Sequence, residues 1–323
     1  MARALITGIL GQDGSYLAEQ LLVDGHEVVG IDLASDPHGS GNIEGIVEQV
    51  DYLSADLRDT GSVHEAVQQA APTEIYHLAA PSFVPDSWED PTETVAAITG
   101  GTGAVLAAAL AMTERPRVWV STSSEVFGDT DESPQSETSR MAPRTPYGVA
   151  KLAALGLVRT MREHHGLFAC AGILFNHESP RRPAQFLPRK VTRAAAAIAL
   201  GQQEELVLGD LGAVRDWSDA RDVVAAFPLA LRSESPADFV LASGQGRTVA
   251  DLVKAAFEAA GIGELTDSVV RVDQEFVRPR EPVAPVGDPA RAEVDLGWKR
   301  GYSFEDTIGE MVAADLRELG GGS

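Results

Sequence analysis

Ser123, Ser124 and Glu125 stand one polar loop ahead of Tyr147 and Lys151. A tyrosine followed four residues later by a lysine shares one face of a helix with it, so the ammonium favours the phenolate and offers a base near neutral pH. Tyrosine alone, with an unperturbed pKa of about 10, is too weak an acid for that role. With a sugar hydroxyl as substrate, such a base gives the hydroxyl proton somewhere to go. The same spacing also describes a half-buried tyrosine beside a solvated lysine, so its meaning depends on the elements around it.

Those elements alternate. A short apolar run at 3–7 precedes Gly8, Gly11 and Gly14, and Leu17, Leu21 and Leu22 mark the buried stripe of a following helix. Strand, glycine turn and helix in this order suit a dinucleotide: the turn lets backbone approach the pyrophosphate, and the helix start presents N–H groups and positive dipole. A second strand at 27–31 ends at Asp32, whose carboxylate can accept from ribose hydroxyls and would repel a 2'-phosphate. With no Arg or Lys near it, Asp32 favours NAD over NADP. Strands at 50–53, with Asp56 near the adenine, and at 74–78, with small residues Ala79 and Ala80 beyond, continue the pattern. A helix at 93–112, a strand at 118–121 delivering Ser123 and Glu125, a helix from Tyr147 towards His164 and a strand at 168–174 complete it. The expected fold is α/β, a Rossmann-type doubly wound parallel sheet with right-handed crossovers and a smaller C-terminal α/β substrate domain.

Residues 1–176 are expected to bind the dinucleotide, with return segments around 213–243, and 177–323 mainly the substrate. Beyond Asn176 arginines and prolines cluster, and helices at 248–260 and 303–319 predominate.

The chain has 323 residues, 44% of them hydrophobic, and a formal charge of −22. That charge argues against nucleic acid as partner, which needs basic groups to neutralise phosphates. Arg181, Arg182, Arg189, Lys190 and Arg193 nonetheless form a local basic patch able to hold one small anion. Cys170 is the only cysteine, which excludes an internal disulfide, and no Cys/His cluster has zinc spacing; a reducing cytoplasm is the expected setting, with no metal. The longest Ala/Ile/Leu run, 194–200, is too short to span a bilayer, and with the first strand expected from Arg3 neither secretion nor membrane insertion is expected. Trp88, Trp119 and Trp298 read as packing residues, and His64, His164 and His165 as solvated groups without a role in the chemistry.

The glycine turn, Asp32 and the Ser/Glu/Tyr/Lys set together resemble the extended short-chain dehydrogenase/reductases that act on nucleotide sugars. Gly11-Gln12-Asp13-Gly14-Ser15-Tyr16-Leu17-Ala18-Glu19 and Gly172-Ile173-Leu174-Phe175-Asn176-His177-Glu178-Ser179-Pro180-Arg181-Arg182 narrow this to a resemblance to the GDP-mannose 4,6-dehydratases. Similarity continues through Arg189-Lys190, Arg215-Asp216-Trp217, Asp238-Phe239-Val240, Arg278-Pro279-Arg280-Glu281 and Leu296-Gly297-Trp298. The resemblance implies catalytic roles for Ser123, Glu125, Tyr147 and Lys151. It implies a cofactor held by Gly8, Gly11, Gln12, Asp13, Gly14, Asp32, Asp56, Leu57, Leu78, Ala79, Ala80, Tyr147, Lys151, His177 and Arg182. Ser82, Ser124, Asn176, Leu187, Lys190, Arg215, Arg278 and Glu281 fall on the nucleotide-sugar side, Arg215 and Arg278 on the pyrophosphate and Glu281 near the ribose.

Three positions depart from the family. Ser123 replaces threonine, keeping the hydroxyl but losing rotamer restraint. Asp32 stands where the family carries a basic pair for NADP. Residues 34–42 lack the segment through which members form tetramers, so a homodimer is expected, with a tetramer as the alternative. The implied reaction converts GDP-mannose to GDP-4-keto-6-deoxy-mannose: oxidation at C4, loss of water across C5 and C6, and hydride return to C6. A dehydratase or a 4-epimerase of another nucleotide sugar is the nearest alternative, and a non-catalytic NAD-binding sensor is the alternative of another kind. Glu125 discriminates among the enzymes, because a 4-epimerase needs no acid/base at C5.

Overall fold

Runs of Val, Ile and Ala without alternation become strands of a parallel sheet covered on both faces. The computed structural model describes residues 2–39, 41–263, 269–273 and 284–321. Its first half alternates β1 (Arg3–Thr7), α1 (Gln12–Val23), β2 (Glu27–Asp32), β3 (Val50–Ser54), α2 (Thr60–Ala70) and β4 (Glu74–His77). Short helices α3 (Asp86–Glu89) and α4 (Pro91–Val95) lead through a π-type turn, Ala96–Gly100, into α5 (Gly101–Ala111). Then come β5 (Arg117–Ser121), a 3-10 turn at Ser124–Val126, α6 (Pro146–His165) and β6 (Ala169–Leu174).

The second half holds β7 (Asn176–Glu178), α7 (Leu187–Ala199), β8 (Leu206–Leu208), β9 (Val214–Asp219), α8 (Ala220–Arg232) and β10 (Asp238–Leu241). It closes with β11 (Gly246–Thr248), α9 (Val249–Ala259), β12 (Val270–Val272), α10 (Ala290–Leu296) and α11 (Phe304–Gly320). The main sheet has seven strands in the order β10-β6-β5-β4-β1-β2-β3, every pairing parallel. The order reverses between β1 and β4, which opens the crevice at the carboxyl ends of the strands where ligands bind in such sheets.

One face of the sheet packs on α2, α5 and α6, with Leu5, Ile75, Val118, Val120 and Ile173 in its core. The other packs on α1 and α8, where Trp119 stacks on Phe227 with ring centroids 4.5 Å apart. Asp238 fastens β10 to α6 by ion pairs of 2.6 Å to both Arg159 and Arg162. A separate core joins α7, α9 and α11 through Val191, Leu252, Phe257, Ile308 and Met311.

Helix Pro91–Ala111 is a longer apolar element than the 194–200 run. It is 21 residues long and, by length and composition, apolar enough to cross a bilayer. Here it is largely core, with Ala104, Val105, Leu106, Ala108 and Ala109 buried. Trp119 and Trp298 are buried, but Trp88 is 63% exposed: α3 is a single turn and leaves the indole at the lip of the crevice.

Candidate active site

Around the glycine turn, sequence and geometry agree for steric reasons. Gly8 has φ +77°, and a side chain there would meet the backbone of Ala79 at 2.9 Å. A Cβ on Gly14 would lie 2.2 Å from the Gly8 carbonyl oxygen, so only glycine lets α1 start this close to the turn. Gln12 and Asp13 open the helix. Gln12 Nε2 donates to the His177 carbonyl at 3.2 Å, and Ser179 Oγ donates to Gln12 Oε1 at 2.8 Å. Asp13 Oδ2 pairs with His177 Nε2 at 2.9 Å. Burial works against charge on both groups, but their mutual attraction outweighs it: His177 is raised and Asp13 is lowered.

Asp32 ends β2 with Oδ1 accepting from Leu33 N at 2.8 Å and Oδ2 from Leu10 N at 3.4 Å. Asp56, Leu57, Leu78, Ala79 and Ala80 line the same crevice. Arg58 is bonded to Asp56 through Nη2 at 2.6 Å and reaches Glu93 at 2.8 Å, which holds Asp56 down at about 2. Beneath the crevice His77 Nδ1 lies 2.8 Å from Thr7 Oγ1. Burial, with Lys151 adding to it, lowers His77 to about 3, so this imidazole stays neutral.

Strand β5 and helix α6 bring the catalytic candidates together. Ser123 Oγ accepts from Glu125 N at 3.3 Å, and its hydroxyl acts to lower the Tyr147 phenol. Lys151 Nζ donates to the Ser121 carbonyl at 2.9 Å and lies 5.8 Å from the Tyr147 ring centre. Both side chains are buried. Burial lowers Lys151 to about 8 and pushes Tyr147 up to about 12, with the nearby Ser123 hydroxyl opposing the latter. The spacing predicts a lysine that favours the phenolate. Desolvation dominates the phenol here, and the ammonium is directed at a backbone carbonyl instead.

Ser82, Ser124, Asn176, Leu187, Lys190 and Arg215 line the other part of the cavity, whose volume is about 1680 Å³. That exceeds the 300–1,000 Å³ typical of one small-ligand site and leaves room for two nucleotides. Lys190 Nζ donates to the Val207 carbonyl at 3.0 Å, and Arg215 Nη1 to that of Val214 at 2.6 Å. Arg182 lines the cavity over the Phe186 ring, its Nε 3.3 Å from Glu178 Oε2. Arg278 and Glu281 lie outside the described residues.

The basic patch disperses on folding. Arg181 pairs with Glu19 at 2.6 Å, Arg189 with Asp315 at 2.9 Å and Arg193 with Glu318 at 2.7 Å. Only Arg182 and Lys190 of the five face the cavity. Of the cavity residues outside the sequence-predicted set, Trp88 and Thr145 are instructive. Trp88 was taken for packing, and Thr145 carried a recognisable signal, a threonine just before a proline at a helix start. Among the described residues no His/Cys/Asp/Glu group could hold a metal ion.

Comparison with known proteins places this geometry in context. The profile of the family described as GDP-mannose 4,6 dehydratase matches residues 5–311. The GDP-mannose 4,6-dehydratase of Yersinia enterocolitica is 38% identical over 98% of this chain and 95% of its own. That of Sinorhizobium fredii is 41% identical over 98% and 97%. Among solved structures, the UDP-glucose 4-epimerase of Thermus thermophilus in complex with NAD superposes with a TM-score of 0.84 at 26% identity, covering 97% of this chain and 98% of that one. The fold is thus shared with epimerases, whereas identity across almost the whole length lies with the dehydratases: the chain belongs to the GDP-mannose 4,6-dehydratase family.

Proposed function

We propose that this chain works as a nicotinamide-dependent hydro-lyase on GDP-mannose, with Glu125 as the group that makes it a dehydratase. The observation that carries this reading is the Ser123 hydroxyl, which accepts from the Glu125 backbone at 3.3 Å and sits near enough to the Tyr147 phenol to lower its pKa. A base for a hydroxyl and a carboxylate for a neighbouring carbon are thereby held around one oxygen-binding point.

The crevice fits a dinucleotide, because the Gly8 and Gly14 contacts leave backbone and the start of α1 free of side chains. A bound nicotinamide would supply the hydride acceptor for C4 and the hydride donor for C6. The chain's own groups do the rest. Ser123 holds the 4-oxygen. Tyr147 takes the 4-hydroxyl proton, and Lys151, fixed on Ser121, orients the cofactor ribose. Once a ketone stands at C4 the C5 proton is acidic; Glu125 removes it and passes a proton to the departing 6-hydroxyl, which leaves as water, and C5 takes up a solvent-exchangeable proton when hydride reaches C6. His177, paired with Asp13, and Arg182 balance the phosphates of the cofactor. Lys190 and Arg215, with Arg278 and Glu281, take the nucleotide end of the substrate.

Asp32 selects NAD over NADP, since its carboxylate, fixed by Leu33 N, repels a 2'-phosphate. Residues 1–176 with the return around 213–243 serve the cofactor, and 177–323 mainly the sugar nucleotide. Val95 and Val149, exposed on the adjoining helices α4 and α6, suit a homodimer face. A free buried Cys170 suits a reducing cytoplasm.

Mass spectrometry of GDP-mannose incubated with the protein and NAD tests the reading. Loss of one water from the sugar supports it; an altered sugar of unchanged mass would replace it with epimerisation.

A further inference from the structure

Helix α6 begins at Thr145, whose backbone is extended, with Pro146 in the first turn. The Thr145 hydroxyl accepts from Gly148 N at 2.9 Å and donates to Glu125 Oε2 at 3.4 Å. A hydroxyl has one proton to give; with its acceptor side on the helix, that proton is directed to the carboxylate. Gly148 strengthens the arrangement, because a Cβ there would lie 2.6 Å from the Glu125 carbonyl oxygen and 3.0 Å from Pro143 Cβ. The first turn of α6 is therefore pressed against the 3-10 turn that carries Glu125, and Thr145 lines the same cavity.

We propose that Thr145 is a positioning residue for proton removal at C5: its hydroxyl caps α6 and fixes the Glu125 carboxylate in the same contact. The inference rests on the C5 role assigned to Glu125 above. It goes further by dividing the reaction. Oxidation at C4 depends on Tyr147 and Ser123, whereas elimination depends on where the Glu125 carboxylate points, and a displacement of about 1 Å can slow a step about a hundredfold. Losing the Thr145 hydroxyl affects the second step and spares the first.

The test follows reduced nicotinamide by its near-ultraviolet absorbance, and product by mass, in single turnovers of GDP-mannose. Wild type, Thr145→Ser, Thr145→Gly and Glu125→Gln are compared. Glycine is tolerated at helix N-caps with little loss of stability, so Thr145→Gly removes the hydroxyl and retains the helix. Thr145→Gly is expected to reduce the cofactor at the wild-type rate, accumulate the reduced form and release product about ten- to a hundredfold more slowly. Thr145→Ser is expected to restore product formation to within about threefold, because it keeps the hydroxyl. Parallel slowing of cofactor reduction and product in Thr145→Gly would reduce Thr145 to a helix cap and overturn the proposal, as would unchanged turnover. Glu125→Gln separates the two claims. If it accumulates reduced cofactor and Thr145→Gly does not, the Thr145 proposal fails alone; if Glu125→Gln turns over normally, the Glu125 assignment fails and takes the proposal with it.

Discussion

His177 Nε2 lies 2.9 Å from Asp13 Oδ2, joining β7 to the first turn of α1 across the mouth of the glycine turn. The pair has consequences for stability. His177 is raised above its ordinary 6.5, so its contribution is present below that value and is lost as pH rises through the folded pKa. Asp13 is lowered below 3.8, so its contribution is present above that value and is lost as pH falls through the folded pKa. Asp13→Asn is therefore expected to destabilise by roughly 3 kcal/mol at about pH 5, as expected for removing one member of a buried pair. The difference from wild type should shrink in alkaline buffer. Denaturant melts across pH check this; a difference that grows above neutrality would contradict it.

Lys151 separates stability from activity. Its pKa is lowered from 10.5 to about 8, because burial disfavours the ammonium. Between those values the unfolded chain binds the proton more tightly, so stability rises with pH through that window. Lys151→Met removes the buried charge and is expected to melt no lower than wild type at neutral pH, while kcat falls at least about a hundredfold. Thermal melts and steady-state rates on the same preparation decide it; a variant that is destabilised but active would contradict the role.

The proposed preference for NAD rests on Asp32. Replacing the carboxylate by serine removes the repulsion of a 2'-phosphate while keeping a hydrogen-bonding group at the end of β2. Asp32→Ser is expected to shift the ratio of Kd values towards NADP by at least about tenfold, equivalent to about 1.4 kcal/mol. Titration of both cofactors measures it, and an unchanged ratio would remove Asp32 from selection.

The sheet was legible because strands buried on both faces leave unbroken apolar runs; β6 is buried at all six positions. The spacing of Tyr147 and Lys151 was legible because a helix places them on one face. Other features depend on partners remote in sequence. Arg189 and Arg193 read as a patch until α11 supplies Asp315 and Glu318, and Arg181 until α1 supplies Glu19. Spacing carries no information on the desolvation of Tyr147, which pushes it up to about 12. Trp88 read as packing because a one-turn helix at a crevice lip has no periodicity to reveal its exposed side.

The central claim is that Glu125 removes the C5 proton. It is tested by converting GDP-mannose in deuterated water and locating deuterium in the product by NMR. One solvent deuteron at C5 in the dehydrated product, with its appearance slowed at least about a hundredfold in Glu125→Gln, is the expected result. Dehydrated product without solvent deuterium at C5, or with labelling at the same rate in Glu125→Gln, would contradict it.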